Sequence, residues 1–319
     1  MSIDSRLLQK LKELIEDLVE QYAYITMHKE HKESNEVYES LTQAVSVVAT
    51  TWKKHPETLV WLKKIAQSGY YSKSHDAPYI AVEATAVREL AQGWKDAPEI
   101  LPMLKALAQS ENEDDRAAQV TAIQELAQRW KDDLETLPIL KTFIQSSTNG
   151  WAKAKVVREL VQGWKDNPDT LSILKTLAQS SKDWQVQNIV VEELARGWKD
   201  DFNTLSSLKT CVQHDSSDFI REKVMQELIQ NWQASSDIYD FLHECAVDDS
   251  FNGILYSFSG DDVEDKENLP ARQTALEAII EQYPDHPQTL RLLQDRAEND
   301  PDEKVREFAK KKLEKWNRN

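Results

Sequence analysis

The sequence predicts an all-α fold, a right-handed solenoid of about eight helical hairpins, and three observations support it. The stretch VRELAQGWKDAPEILPMLKALAQS, which begins at Val87, returns from Val157 as VRELVQGWKDNPDTLSILKTLAQS, with most positions identical. Similar aromatic positions recur about every 34 residues, which is typical of stacked repeats. Strong helix formers are abundant, whereas the whole chain has only seven glycines.

An aromatic residue ends each predicted repeat. The spacing between these residues falls from 42 to 36 and then to a regular 34, until a gap of 51 precedes the last two. We interpret them as wedges between successive repeats, and an aromatic binding row is the alternative. The positions are Trp52, Trp94, Trp130, Trp164, Trp198, Trp232, Tyr283 and Trp316.

Each repeat is predicted to contain two helices. The segment Lys-Asp-x-Pro after Trp94 and Trp164 ends one helix and starts the next, because proline suits only a first helical turn. The first helix then has one apolar face, and the second helix has a wider apolar stripe. A single hairpin cannot bury both surfaces, so neighbouring hairpins must stack. One such stripe is Val156, Val157, Leu160 and Val161.

The period also predicts the organisation of the chain as one solenoid over residues 1–319. We expect an N-terminal capping helix at 1–34, regular repeats at 35–246, an insertion at 247–270, and a last repeat and cap at 271–319. The insertion is acidic and also contains Phe251, Tyr256 and Phe258. These side chains either pack on the solenoid or contact a partner.

Two motifs resemble known repeat families. Asp218 with Ile220-Arg221, and Asp302 with Val305-Arg306, resemble the start of the second helix of HEAT repeats. The phrases VRELAQGWKD and EELARGWKDD, followed by TL-x2-LK, resemble the C-terminal HEAT-type arrays of bacterial NACHT-type signalling ATPases. The resemblance implies a HEAT/armadillo-type superhelix that senses or scaffolds. It implies no ATPase activity, because the chain lacks G-x-x-x-x-G-K-[ST].

Charge and composition restrict the expected partners. The net charge of −16 disfavours nucleic acid and anionic membranes, which bind cationic surfaces. No apolar run is long enough to span a bilayer, and we expect a cytoplasmic protein. The two cysteines, Cys211 and Cys245, occupy equivalent repeat positions and are interpreted as buried core residues.

No motif for catalysis, cofactor binding or metal binding has useful spacing, so the sequence predicts no catalytic residue, cofactor or metal. Two surface sets remain as candidates for contacting a protein. One is a column of glutamates five residues before the repeat aromatic, with Arg196 on the same face; it forms either an acidic trough or an ordinary solvated face. The column is Glu89, Glu125, Glu159, Glu193 and Glu227.

The second set is an aromatic edge where second helices begin, formed by Trp151, Trp184 and Phe219. These rings either staple the hairpin corners or contact a partner. The leading hypothesis is a non-catalytic HEAT-repeat scaffold or sensor that binds a basic, extended polypeptide in bacterial signalling or defence. A HEAT-fold enzyme, such as a phycobilin lyase or a DNA glycosylase, and a passive spacer are the alternatives.

Overall fold

The computed structural model describes residues 3–26, 32–67, 82–110, 116–213, 218–232, 236–247 and 271–316. Over these ranges the chain is helical and contains no strand. The helices are α1 (Ile3–Thr26), α2 (Lys32–Thr51), α3 (Pro56–Ala66), α4 (Val82–Gly93), α5 (Ile100–Ala108), α6 (Arg116–Arg129), α7 (Thr136–Ser146), α8 (Gly150–Trp164), α9 (Pro168–Ser180), α10 (Trp184–Gly197), α11 (Phe202–Gln213), α12 (Asp218–Asn231), α13 (Ser236–Val247), α14 (Ala271–Gln282), α15 (Thr289–Asn299) and α16 (Glu303–Trp316).

These helices form two compact units, residues 1–164 and 165–319. In the first unit, α3–α4, α5–α6 and α7–α8 are hairpins, and the second helices α4, α6 and α8 pack successively on one another. The second unit repeats the scheme, with hairpins α9–α10, α11–α12, α13–α14 and α15–α16 and successive packing of α10, α12, α14 and α16. The prediction of a HEAT-like α-solenoid of stacked hairpins is confirmed. The division into a cap, regular repeats and an insertion stays a prediction.

The wide apolar stripe of each second helix forms the core, as the spacing predicts. In α8, the side chains of Val156, Val157 and Leu160 are fully buried, and Val190 and Leu194 occupy corresponding buried places in α10.

Cys211 and Cys245 are also buried and form no disulfide. Burial raises the pKa of the Cys211 thiol to about 11, so this sulfur behaves as a small apolar core atom.

The turns after Trp130 and Tyr283, one in each unit, have the same hydrogen bonds. The amide of Asp133 donates to the carbonyl of Trp130, and the amide of Thr136 donates to the carbonyl of Asp133, both at 3.1 Å. The Thr136 hydroxyl, which is buried, donates to the Trp130 carbonyl at 2.8 Å. Thr289 donates to the Tyr283 carbonyl in the same way. The threonine that begins these TL-x2-L segments therefore satisfies a carbonyl at a helix end.

The repeat tryptophans are half-buried, and each of four carries a lysine from the preceding aromatic turn over its ring. The ammonium lies 5.6 to 5.9 Å from the ring centre, a cation–π distance at which the lysine stem also covers the indole. The indoles therefore lie where one repeat meets the next. The pairs are Lys53 with Trp94, Lys95 with Trp130, Lys131 with Trp164, and Lys165 with Trp198.

The lysine of an L-x2-LK phrase connects one first helix of each unit to the next aromatic turn. Lys105 of α5 binds Asp133 at 2.8 Å, and Lys175 of α9 binds Asp201. Hydrogen bonding to these ammonium groups holds the pKa of Asp133 and that of Asp201 below the usual aspartate range. The same contact therefore recurs in both units.

The first and last helices of the chain have their own polar contacts. In the first unit, Trp52 donates its indole hydrogen to Asp4 of α1 at 2.8 Å. In the second unit, Arg272 and Asp300 form a fully buried ion pair at 3.0 Å. Arg306, part of the HEAT-like motif, donates to the Asp300 carbonyl.

Among the described residues, no helix has the length and apolar character needed to cross a membrane, and a cytoplasmic location stays a prediction.

Candidate functional site

Three cationic side chains meet on the second-helix face of the first unit. Arg88 lies on α4, and Lys155 and Arg158 lie on α8. Arg88 and Arg158 are both exposed, and both stand six residues before a repeat tryptophan. Helix α6 packs between α4 and α8 and has Gln124 at the equivalent position. We call Arg88, Lys155, Arg158 and Trp151 the basic cluster.

Lys155 is at the centre of the basic cluster. Its ammonium lies 3.7 Å from the centre of the Trp151 ring, one helical turn earlier on α8. The pKa of Lys155 lies below the usual lysine range, first because the side chain is half-buried and then because Arg88 and Arg158 repel its charge. Attraction to Glu159 opposes this shift. The charges of Arg88 on α4 and of Arg158 on α8 therefore both act on Lys155.

A buried carboxylate lies beside these cations. Glu159 is only 7% exposed, and the Gln124 amide donates to its Oε1 at 3.0 Å. The Gln128 amide donates to both of its oxygens at 3.3 Å. Two side chains of α6 thus fix the orientation of a carboxylate on α8, as is typical of a group that must act in one position.

The other glutamates of the column are also engaged in helix packing. Glu125 is buried and accepts a hydrogen bond from Arg129 at 2.6 Å. Glu193 is buried, Glu89 is half-buried, and Glu227 binds Lys223 and Asn231 within α12. The column therefore lies largely beneath the surface, where the sequence had suggested an open trough or a solvated face.

The remaining candidate residues do not join the basic cluster. Arg196 is exposed and pairs with Glu192 at 2.7 Å on α10. Trp184, at the start of α10, is 47% exposed. The side chain of Phe219 lies outside the described part of the structure, as do residues Phe251, Tyr256 and Phe258. The role of all these residues as partner contacts stays a prediction.

No group of three or more potential metal ligands occurs among the described residues. The candidate site consists of cations, one aromatic ring, amides and a carboxylate. Arginine and lysine bind phosphates, and aromatic rings stack on nucleobases. This combination suits a nucleic acid better than a basic polypeptide, which the cations would repel.

Comparison with known families agrees with this chemistry. The family model described as DNA alkylation repair enzyme matches residues 57–231, which is more than half of the chain. The chain belongs to the DNA alkylation repair enzyme family. No curated protein matches it.

Membership of the DNA alkylation repair enzyme family corrects four predictions. The resemblance to NACHT-associated arrays was wrong, and so were the non-catalytic protein-binding scaffold, the absence of enzymatic activity and the absence of a nucleic-acid partner. The net charge of −16 was misleading because it sums the whole chain. A DNA-repair enzyme needs only a local cationic surface, and the basic cluster lies within the matched range.

Sequence reasoning overlooked Arg88, Lys155 and Arg158, as well as Gln124 and Gln128. One signal was available in the sequence: Lys153, Lys155 and Arg158 place three cations close together on one second helix. The contribution of Arg88 had no such signal, since it lies two repeats before Lys155 in the chain.

Proposed function

We propose that this chain binds alkylated DNA on the second-helix face of its first unit and hydrolyses the bond between deoxyribose and the alkylated base. The observation that supports this proposal most strongly is the basic cluster. Lys155 lies over the Trp151 ring, and the charges of Arg88 and Arg158 act on Lys155, all inside the range matched by the DNA alkylation repair enzyme family.

The two arginines are suited to hold the DNA backbone. Both are exposed, and they project from helices on either side of α6. A guanidinium binds a phosphate through two parallel hydrogen bonds, and each such contact releases counterions from the DNA. Arg88 and Arg158 would therefore fix the position of the backbone while the neutral amides of α6 lie between them.

Trp151 is suited to contact the nucleobase. Its ring is half-buried, so one part is held by the protein and another part is accessible. Stacking on an aromatic side chain stabilises an unpaired base by about 1–3 kcal/mol and requires no particular sequence. Alkylation of a ring nitrogen makes the base cationic, which favours contact with an aromatic ring.

Glu159 is suited to the chemical step. As the glycosidic bond breaks, positive charge develops on the sugar, and a nearby carboxylate stabilises it or activates the attacking water. The amides of Gln124 and Gln128 already hold this carboxylate in one orientation. Preorganisation of this kind reduces the reorganisation required during the reaction.

The proposal is tested with a duplex oligonucleotide that contains one N7-methylguanine. We expect the wild-type protein to release the methylated base and to bind the duplex in a salt-dependent manner. The double variant Arg88→Ala/Arg158→Ala should bind about 10²-fold more weakly, since two phosphate contacts are lost.

The control is Arg291→Ala, which removes an exposed cation of α15 outside the family match and should leave binding within about twofold. Unchanged binding by the double variant would contradict the proposed interface. Absence of base release from oligonucleotides with several different alkylated bases would contradict the proposed reaction.

A further inference from the structure

The basic cluster contains two kinds of cation, and only one of them can form a covalent bond with an aldehyde. A guanidinium stays protonated and is a poor nucleophile, whereas a lysine amine forms imines with carbonyl groups. Removal of a base from DNA leaves a deoxyribose whose ring-opened form carries an aldehyde at C1′. The product of the proposed reaction is therefore a substrate for a suitably placed lysine.

We infer that Lys155 attacks this aldehyde and that the protein cleaves the DNA strand at abasic sites, an inference that rests on the proposed function. The geometry supports the assignment. The amine is held 3.7 Å above the Trp151 ring, on the helix face that carries Arg158 and beside the buried Glu159. It therefore lies between the group proposed to hold the backbone and the group proposed to contact the base.

Burial and the nearby cations favour the neutral amine that the reaction needs, whereas the Trp151 ring and Glu159 favour the charged form. Burial and the charges of Arg88 and Arg158 lower the pKa of Lys155, and Glu159 opposes them. A lysine that is partly desolvated and close to other cations is a typical amine nucleophile. DNA phosphates bound to the two arginines would partly offset their repulsion, whereas further desolvation by DNA would strengthen the shift.

The reaction balances without any further reactant. The Lys155 nitrogen bonds to C1′, and the carbonyl oxygen leaves as water, which gives an imine. Loss of a proton from C2′ to a base, for which Glu159 is the nearest carboxylate on α8, forms the C2′–C3′ double bond. The C3′–O bond breaks, and the 3′ phosphate leaves with its strand. Water then hydrolyses the imine and restores the amine.

The test uses full-length protein and a duplex with a preformed abasic site, so that it does not depend on base removal. Sodium borohydride reduces the imine to a stable amine that links protein to DNA. Mass spectrometry of the wild-type adduct should locate the link at Lys155. Lys155→Arg should reduce trapping on the order of 100-fold, because the charge remains and the nucleophile is lost.

The matched control is Lys153→Arg, on the same helix but displaced from the face of Trp151 and Lys155, which should trap like the wild type. Anisotropy measurements should give binding of abasic DNA within about twofold for wild type and both variants. Binding without trapping, or a link at another lysine, would overturn the inference and leave the proposed function intact. Failure of the wild type to bind any DNA would overturn both.

Discussion

Helices α8 and α10 follow the same repeat pattern, one in each compact unit, but they present different charges. Both carry a buried glutamate five residues before the repeat tryptophan, Glu159 in α8 and Glu193 in α10. The preceding residue is Arg158 in α8 and Glu192 in α10. The repeat therefore sets which positions are buried, whereas single exposed residues set the chemistry of each unit.

The largest expected difference between the two helices concerns the glutamates themselves. Glu159→Gln should lower the rate of base excision about 10²-fold or more, because a positioned carboxylate is lost while Gln124 and Gln128 remain. Glu193→Gln, at the same repeat position, should leave the rate within about twofold. Single-turnover release of N7-methylguanine measures both.

Thermal unfolding of both glutamine variants separates a catalytic effect from a structural one. Equal losses of activity in the two variants, in proportion to lost stability, would show that Glu159 is only a packing residue. A fall in rate with unchanged DNA affinity would assign it to the chemical step.

The next prediction concerns the exposed charges that differ between α8 and α10. Arg158→Glu copies the α10 sequence into α8 and should weaken DNA binding about tenfold or more, with a shallower salt dependence, since one phosphate contact becomes a repulsion. The reciprocal change, Glu192→Arg, should strengthen binding by no more than about threefold if α10 lies outside the interface. Titration at several salt concentrations measures both, and similar effects of opposite sign would extend the interface to α10.

A third prediction concerns what the two units share. Trp130→Ala and Trp198→Ala should each lower the free energy of unfolding by about 2–3 kcal/mol, less than for a fully buried indole, because both rings are half-buried. Urea denaturation measures the change. A loss in only one unit would show that the indole and its lysine do not have the same structural role in both.

The smallest effect concerns the lysine–aspartate contacts. Asp133 and Asp201 have a pKa below the unfolded value, so their contacts stabilise the fold above about pH 4, and this contribution is lost as pH falls through the folded-state pKa. Asp133→Asn and Asp201→Asn should each cost about 0.5–1 kcal/mol near pH 7 and less as the pH falls toward 2. Unfolding measured at both pH values checks this, and a pH-independent loss would contradict the ionic origin.

The net charge wrongly disfavoured a nucleic-acid partner for a physical reason. Net charge is a sum over the chain, but DNA meets only the residues on one surface. Arg88, Lys155 and Arg158 contribute little to a total of −16, yet Arg88 and Arg158 lie close enough to lower the pKa of Lys155. Sequence motifs do not reveal the site for a related reason, since no short pattern links residues on α4, α6 and α8.

The sequence by itself determined the helical hairpins, their period and the apolar stripes, because these depend on residues within about one repeat of each other. Val157, Leu160 and the turn after Trp164 were readable without coordinates for that reason. Only the tertiary structure decided that Glu159 is buried beside two glutamines of α6, which donate hydrogen bonds to it. It also decided that Arg88 lies near enough to lower the pKa of Lys155. Burial and electrostatic coupling depend on which helices become neighbours, and stacking brings together residues that are far apart in the chain.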